Sequence, residues 1–248
     1  MIYVYDGTFE GFLTAVSTAR ERGDTPEAIT PTPPAQAGLF SEAVTIETEP
    51  GRAATLAIEL RNTLSPDARR TLWYGFHAAA PGVELLLWCY LERGLSVGRA
   101  LDGMLAHAEV LPVWKLARAV GREAHRYKGL VRFRELVDGS WYAAIEPEHR
   151  ILPLIAHHFT ARFADQRWII HDRQRDIALI FDPAHRRPLL MDMAVTGPAP
   201  LAAEEYRFTE LWRRYFDRLA IAERHNPPLQ RQQLPFKYRR HLVEFTEE

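Results

Sequence analysis

The 248-residue chain can bury one extensive core or two modest ones, and its 47% hydrophobic and 25% charged content is that of a soluble globular protein. Its single cysteine, Cys89, excludes an internal disulfide and a cysteine-based zinc site, and reads as a buried structural thiol. A formal net charge of −1 hides a gradient: residues 1–110 hold 8 Lys/Arg against 14 Asp/Glu, and residues 111–248 hold 23 against 18. The second stretch is therefore the one expected to meet a polyanion. No basic-then-apolar leader opens the chain and no apolar run approaches a membrane span, so the expectation is a cytoplasmic protein.

In chain order, "MIYVYDGT" alternates and is rich in β-branched and aromatic residues, which predicts a first strand ending at Asp6-Gly7. Thr8 caps a helix running to about Arg20, with Phe9, Phe12, Leu13 and Val16 on its apolar face. "RGDTPEAITPTPPAQAG" is proline-rich and aperiodic and reads as a surface loop. "AVTIETE" predicts a second strand and Ala53 to Asn62 a second helix. Ser65-Pro66 then starts another, with serine at the cap and proline at the first helical position. Helices continue from Val83 to about Lys128, broken near Gly94 and Pro112. In the last of them Val113, Leu116, Val120, Ala124 and Tyr127 form the core stripe, while Arg118, Arg122 and His125 share another face.

Gly129 should end that helix. "LVRFRELVDGSWYAAIEP" reads as a β-hairpin turning at Asp138-Gly139, and Pro147 to Phe163 as a helix. "RWIIHDRQRDIALIFD" is a second hairpin. After a proline-rich passage, Ala202 to Arg224 is a long helix whose Phe208, Leu211, Trp212, Tyr215 and Leu219 have the spacing of a core face. Helices and hairpins come in separate runs, so the fold class is α+β with antiparallel hairpins or sheet packed on several helices. A soft boundary near Pro81 sets βα segments of residues 1–80 apart from a main helical and hairpin part, 81–248, in what reads as one continuous domain.

The chain lacks a Walker loop and the GxGxxG, GxSxG and HExxH patterns. Candidate acid–base groups are Glu123, His125, His157 and His171, and no metal or cofactor is implied. Candidate nucleic-acid contacts are Arg118, Arg122, Arg126, Lys128 and Arg132 around a helix-to-strand corner, together with Arg173 in "HDRQRD" and Arg239 in the tail. Arginine's planar fork suits phosphate. In the C-terminal part basic residues interleave with aromatics, as a single-strand groove requires. Because Phe208, Trp212 and Tyr215 have core spacing, Phe236, Tyr238 and Tyr127 are the expected stacking platforms.

The stretches "YDGTFEGFLTAV", "REAHRYKGLVRF", "ILPLIAHHFTARF", "WIIHDRQRDIALIFD" and "LWRRYFDRLAIAERHNPPLQRQQLP" resemble, in order, a bacterial family of unknown function. Its members are described as DNA metabolism or repair proteins. A similar domain is fused ahead of uracil-DNA-glycosylase-like domains, and the stand-alone form is encoded beside a radical-SAM DNA repair protein. The resemblance implies DNA and that radical-SAM protein as partners. It carries no reaction, and with the chain ending at Glu248 it implies no glycosylase activity. The family tail runs arginine-tyrosine-tryptophan after its late proline, whereas this chain has "PFKYRRHL", with Arg239 in place of the tryptophan. Three readings stand: a DNA-binding accessory protein, an enzyme acting on a modified base or nucleotide, and an adaptor for an acidic protein.

Overall fold

The computed structural model describes residues 1–32, 42–195, 197–219 and 226–245. Among these are eight α-helices and two sheets, an α+β fold. The chain divides into two compact units, Met1–Gly121 and Arg122–Glu248, with the division inside a single helix.

The first unit opens on β1 (Ile2–Val4), which pairs in parallel with β2 (Ala28–Thr30) on one side and β3 (Ala43–Thr45) on the other. A parallel pair needs a crossover, and α1 (Phe9–Arg22) supplies it between β1 and β2. The Thr8 side chain caps α1 by accepting from the Gly11 amide, and Gly23, at φ 69°, closes it in the left-handed conformation. Gly11 is obligatory for a further reason. A Cβ there would stand 2.1 Å from Asp6 Oδ1, the oxygen that accepts from the Thr8 amide and hydroxyl.

β2 forms inside the stretch expected to be a loop, and this sheet is parallel where antiparallel pairing was expected. The remainder of that stretch, from Pro33 on, lies outside the described residues. Helices α2 (Pro50–Thr63), α3 (Pro66–Phe76) and α4 (Val83–Val97) follow, then a 3-10 turn at Gly98–Gly103. As expected, Ser65 caps α3 from the side and Pro66 takes its first position. The unit's core is built on Tyr3, Phe12, Ile29, Leu56, Leu87 and Leu91, all essentially inaccessible.

Helix α5 (Leu111–Leu130) runs one residue past Gly129. Of its predicted stripe, Val113, Val120, Ala124 and Tyr127 are buried, and Arg118, Arg122 and His125 are exposed.

The second unit holds a five-stranded sheet in the order β4-β5-β6-β7-β8. Its strands are β4 (Arg134–Glu135), β5 (Trp141–Ile145), β6 (Trp168–Asp172), β7 (Ile177–Phe181) and β8 (Leu189–Asp192). The two expected hairpins are present as β4–β5 and β6–β7, but β5 and β6 lie parallel, joined over α6 (Leu152–Arg162). The sheet is thus mixed. Helix α6 is shorter than the expected Pro147–Phe163 helix because residues 146–149 are committed to side-chain and backbone bonds elsewhere.

Register puts Trp141, Trp168 and Phe181 in one row across the sheet. Trp168 and Phe181 stack at 5.3 Å, and Phe159 of α6 and Phe133 meet Trp168 at about 6.2 Å. Strand β8, unforeseen from the sequence, is an edge that leaves Leu189, Leu190 and Met191 exposed.

Helices α7 (Glu205–Leu219) and α8 (Pro227–Gln233) and a 3-10 turn at Phe236–Tyr238 complete the unit. The expected long helix from Ala202 is present over α7, and the end foreseen for it, residues 220–224, lies outside the described residues. Its supposed inward face is open: Phe208 is 55% exposed, Trp212 39% and Tyr215 56%.

Candidate nucleic-acid interface

The corner where α5 passes into β4 carries Arg122 and His125, both exposed, and Arg126 and Lys128, both partly so. Arg126 sits over the Tyr238 ring at 5.6 Å. Arg132 is held by three contacts. Its Nη2 lies 2.7 Å from Glu244 Oε1, Nη1 donates to the Gly129 carbonyl at 2.9 Å, and the guanidinium covers the Trp212 ring at 5.6 Å. Glu244 also accepts from Trp212 Nε1 at 3.2 Å, so one carboxylate positions both an arginine and an indole. The Arg134 side chain, two residues further, makes no hydrogen bond or ion pair among the described residues.

Between this corner and α7 lies a groove of about 870 Å³, within the usual size of ligand sites. Arg132, Phe133, Arg134 and Trp141 line one side, and Phe208, Trp212 and Tyr215 the other. Among the described residues its one carboxylate is Glu205, only 7% exposed, whose Oε2 accepts from the Glu135 amide at 3.0 Å. Backbone bonds from Ala202 to the Glu135 carbonyl and from Val137 to the Pro200 carbonyl tie the start of α7 to the β4 edge.

The aromatic side chains that lie open are therefore not those expected. Tyr127 and Tyr238 are 4% and 7% exposed and meet edge to face at 5.5 Å as core. Phe236 is exposed, but the aromatic groove is made by the residues whose spacing predicted core. Helical periodicity identifies a stripe without saying whether anything covers it.

The other predicted contacts are dispersed. Arg118, in the first unit, lies over Trp114 at 4.7 Å. Arg173 is exposed beside the β6–β7 turn. Arg239 lies between Phe236 and Phe245, 4.7 Å from each ring, and its Nε donates to the Leu234 carbonyl. Its guanidinium plane thus packs as an aromatic ring would.

Among the acid–base candidates, Glu123 is buried and accepts from the amides of Glu148 (3.0 Å) and His149 (2.8 Å) and from the Tyr238 hydroxyl (3.1 Å). His171 is fully buried, with Nδ1 2.8 Å from the Tyr142 hydroxyl. His125 and His157 are exposed. No hydrogen bond or ion pair joins any two of the four, and no group of three or more potential ligands is placed to hold a metal, among the described residues.

Burial, and then the charge of Arg173, hold the His171 imidazole below its usual 6.5, against weaker pulls from the Met193 backbone, Asp176 and Asp172. A histidine depressed in the folded state contributes stability that is complete above its unfolded value and is lost as pH falls through the folded one. The urea midpoint of the protein should therefore drop as pH is lowered from about 7 towards about 5. In His171→Asn that drop should be smaller, with His158 and His241, also depressed mainly by burial, keeping part of it. Parallel pH profiles for the two proteins would exclude His171 as a contributor.

Fold and groove together define a class: an α+β protein whose second unit carries an aromatic groove beside an arginine-rich helix-to-strand corner. Residues 81–244 match the family described as a domain of unknown function, DUF4130, and the chain belongs to that family. No curated protein and no solved structure matches it. No helix among the described residues is long and apolar enough to cross a membrane.

Proposed function

We propose that the protein binds a single nucleic-acid strand as an accessory factor in DNA metabolism or repair, working with a radical-SAM partner. The observation that carries this reading is the groove itself. It sets several open aromatic faces directly beside guanidinium groups, the combination that stacks bases and holds their phosphates. The charge gradient towards the second part of the chain and the family resemblance support it, and the resemblance supplies the radical-SAM partner. Arg122, Arg126, Lys128 and Arg134 are the phosphate contacts in this reading, while Arg132 is positioned by Glu244 to brace Trp212.

The test is a fluorescence anisotropy titration with a labelled single-stranded 15-mer at several salt concentrations. Each neutralised phosphate contributes roughly −0.7 to the slope of log affinity against log salt, so four contacts give about −3. Arg134→Glu should reduce the slope by about 0.7 or more and weaken binding, while Arg22→Glu, in the first unit, should change neither. Absence of binding at low salt, or binding without a salt slope, overturns the reading. Co-purification of the two proteins tests the radical-SAM association separately.

A further inference from the structure

We propose that the groove reads an unpaired base that carries an exocyclic amino group, cytosine, adenine or guanine, in preference to thymine or uracil, and that Glu205 is the residue that discriminates. This rests on the strand-binding reading and specifies what the groove accepts.

The groove is aromatic and apolar over most of its lining, so a base entering it loses water from its edge as well as its faces. Glu205 is more than nine-tenths buried and lines this space. Its Oε2 is taken by the Glu135 amide. Oε1 has no hydrogen-bond or ion-pair partner among the described residues and is not sealed from solvent. An ionised carboxylate only accepts, and an oxygen with no protein partner can take a ligand N–H in place of water.

The Watson–Crick edges of the bases differ in this respect. Cytosine offers N4–H and adenine N6–H, and guanine carries its own exocyclic amine. Thymine and uracil have one Watson–Crick donor, N3–H, set between two carbonyl oxygens, so a carboxylate reaching it meets an oxygen on either side, and where cytosine presents its amine they present O4. Glutamate accepting from cytosine N4 is an established pairing of this kind.

The geometry is preorganised. Oε2 is held by a strand amide, and Thr209, one helical turn on and also buried, lines the same space, its hydroxyl without a hydrogen-bond partner among the described residues. Trp212 is held by Glu244 and covered by Arg132, so the stacking wall is fixed before a base arrives.

The experiment compares labelled dC15 and dT15 at one salt concentration, with the wild-type protein and Glu205→Gln. The wild type should bind dC15 about tenfold more tightly, the effect of one hydrogen bond to a charged acceptor. The Glu205→Gln side chain keeps an acceptor for the Glu135 amide but can also offer an amide donor, so the ratio should fall to about two or below through gain of dT15 binding. A probe-side test removes dependence on the variant's folding. The oligonucleotide of N4,N4-dimethylcytosine lacks the amino hydrogens and should bind the wild-type protein as dT15 does. Equal binding of dC15 and dT15 by the wild type, a ratio unchanged in Glu205→Gln, or dimethylation without effect overturns the base preference and leaves strand binding standing. Failure of every oligonucleotide to bind overturns the underlying reading instead.

Discussion

Glu123→Ala will lower the stability of the second unit by about 4 kcal/mol. The carboxylate is 3% exposed and accepts three hydrogen bonds: two from successive amides, Glu148 and His149, and one from the Tyr238 hydroxyl. Alanine removes the acceptor that all three donors share. Each orphaned buried group costs roughly 1–3 kcal/mol, and the Tyr238 hydroxyl is the one that can turn away, so the sum lies near the middle of the range. A loss of that size is a large fraction of the roughly 5–15 kcal/mol that holds an ordinary domain folded.

The damage should also be directional, because Glu123 is the point at which α5, the 146–149 segment and the C-terminal 3-10 turn are tied together. Ion pairs from Lys237 to Glu148 and from Arg240 to Glu146 reinforce the same junction from the surface. Glu123→Gln keeps one good acceptor and should lose about half as much. His125→Ala, two residues on and exposed, should stay within about 0.5 kcal/mol of wild type. Urea titrations of the full chain decide this: a Glu123→Ala midpoint indistinguishable from wild type would mean that the junction has other means of support.

What was legible in the sequence is what local chemistry decides. Thr8 and Ser65-Pro66 announce their helices because a cap is made within three residues. Asp138-Gly139 announces its turn because Asp138 accepts from the Ser140 amide and Gly139 adopts φ 76°. The α+β class followed from the runs of helix and hairpin. Parallel pairing in the first sheet was not legible, because β1, β2 and β3 are three residues each and their order is set across the chain.

The site was legible by half. The arginine-rich corner stood out as a charge run, but its division into a bracing Arg132 and an open Arg134 depends on Glu244, 112 residues away. Glu205 carried no signal: its importance arises from the Glu135 amide, 70 residues earlier. The α7 aromatics were visible and misassigned. An apolar stripe at helical spacing is the same pattern whether a core or a ligand covers it.

That misassignment leads to the second large expected effect. Phe208→Ala combined with Trp212→Ala should weaken single-strand binding about a hundredfold, since stacking contributes roughly 1–3 kcal/mol per base and two platforms are removed. Both side chains are substantially open, at 55% and 39% exposure, so the double variant should melt close to wild type. Phe208→Ala alone is the cleaner probe. Trp212 has further duties, donating to Glu244 and lying under Arg132, so its loss also loosens an arginine.

The salt dependence separates stacking from charge. Removing aromatics lowers affinity by a similar factor at every salt concentration and leaves the slope near its wild-type value, whereas Arg134→Glu changes the slope itself. Wild-type affinity in the double variant would remove the groove from the binding surface and leave the corner arginines as a purely electrostatic patch. A hundredfold loss at constant slope is the signature of bases seated between β4–β5 and α7.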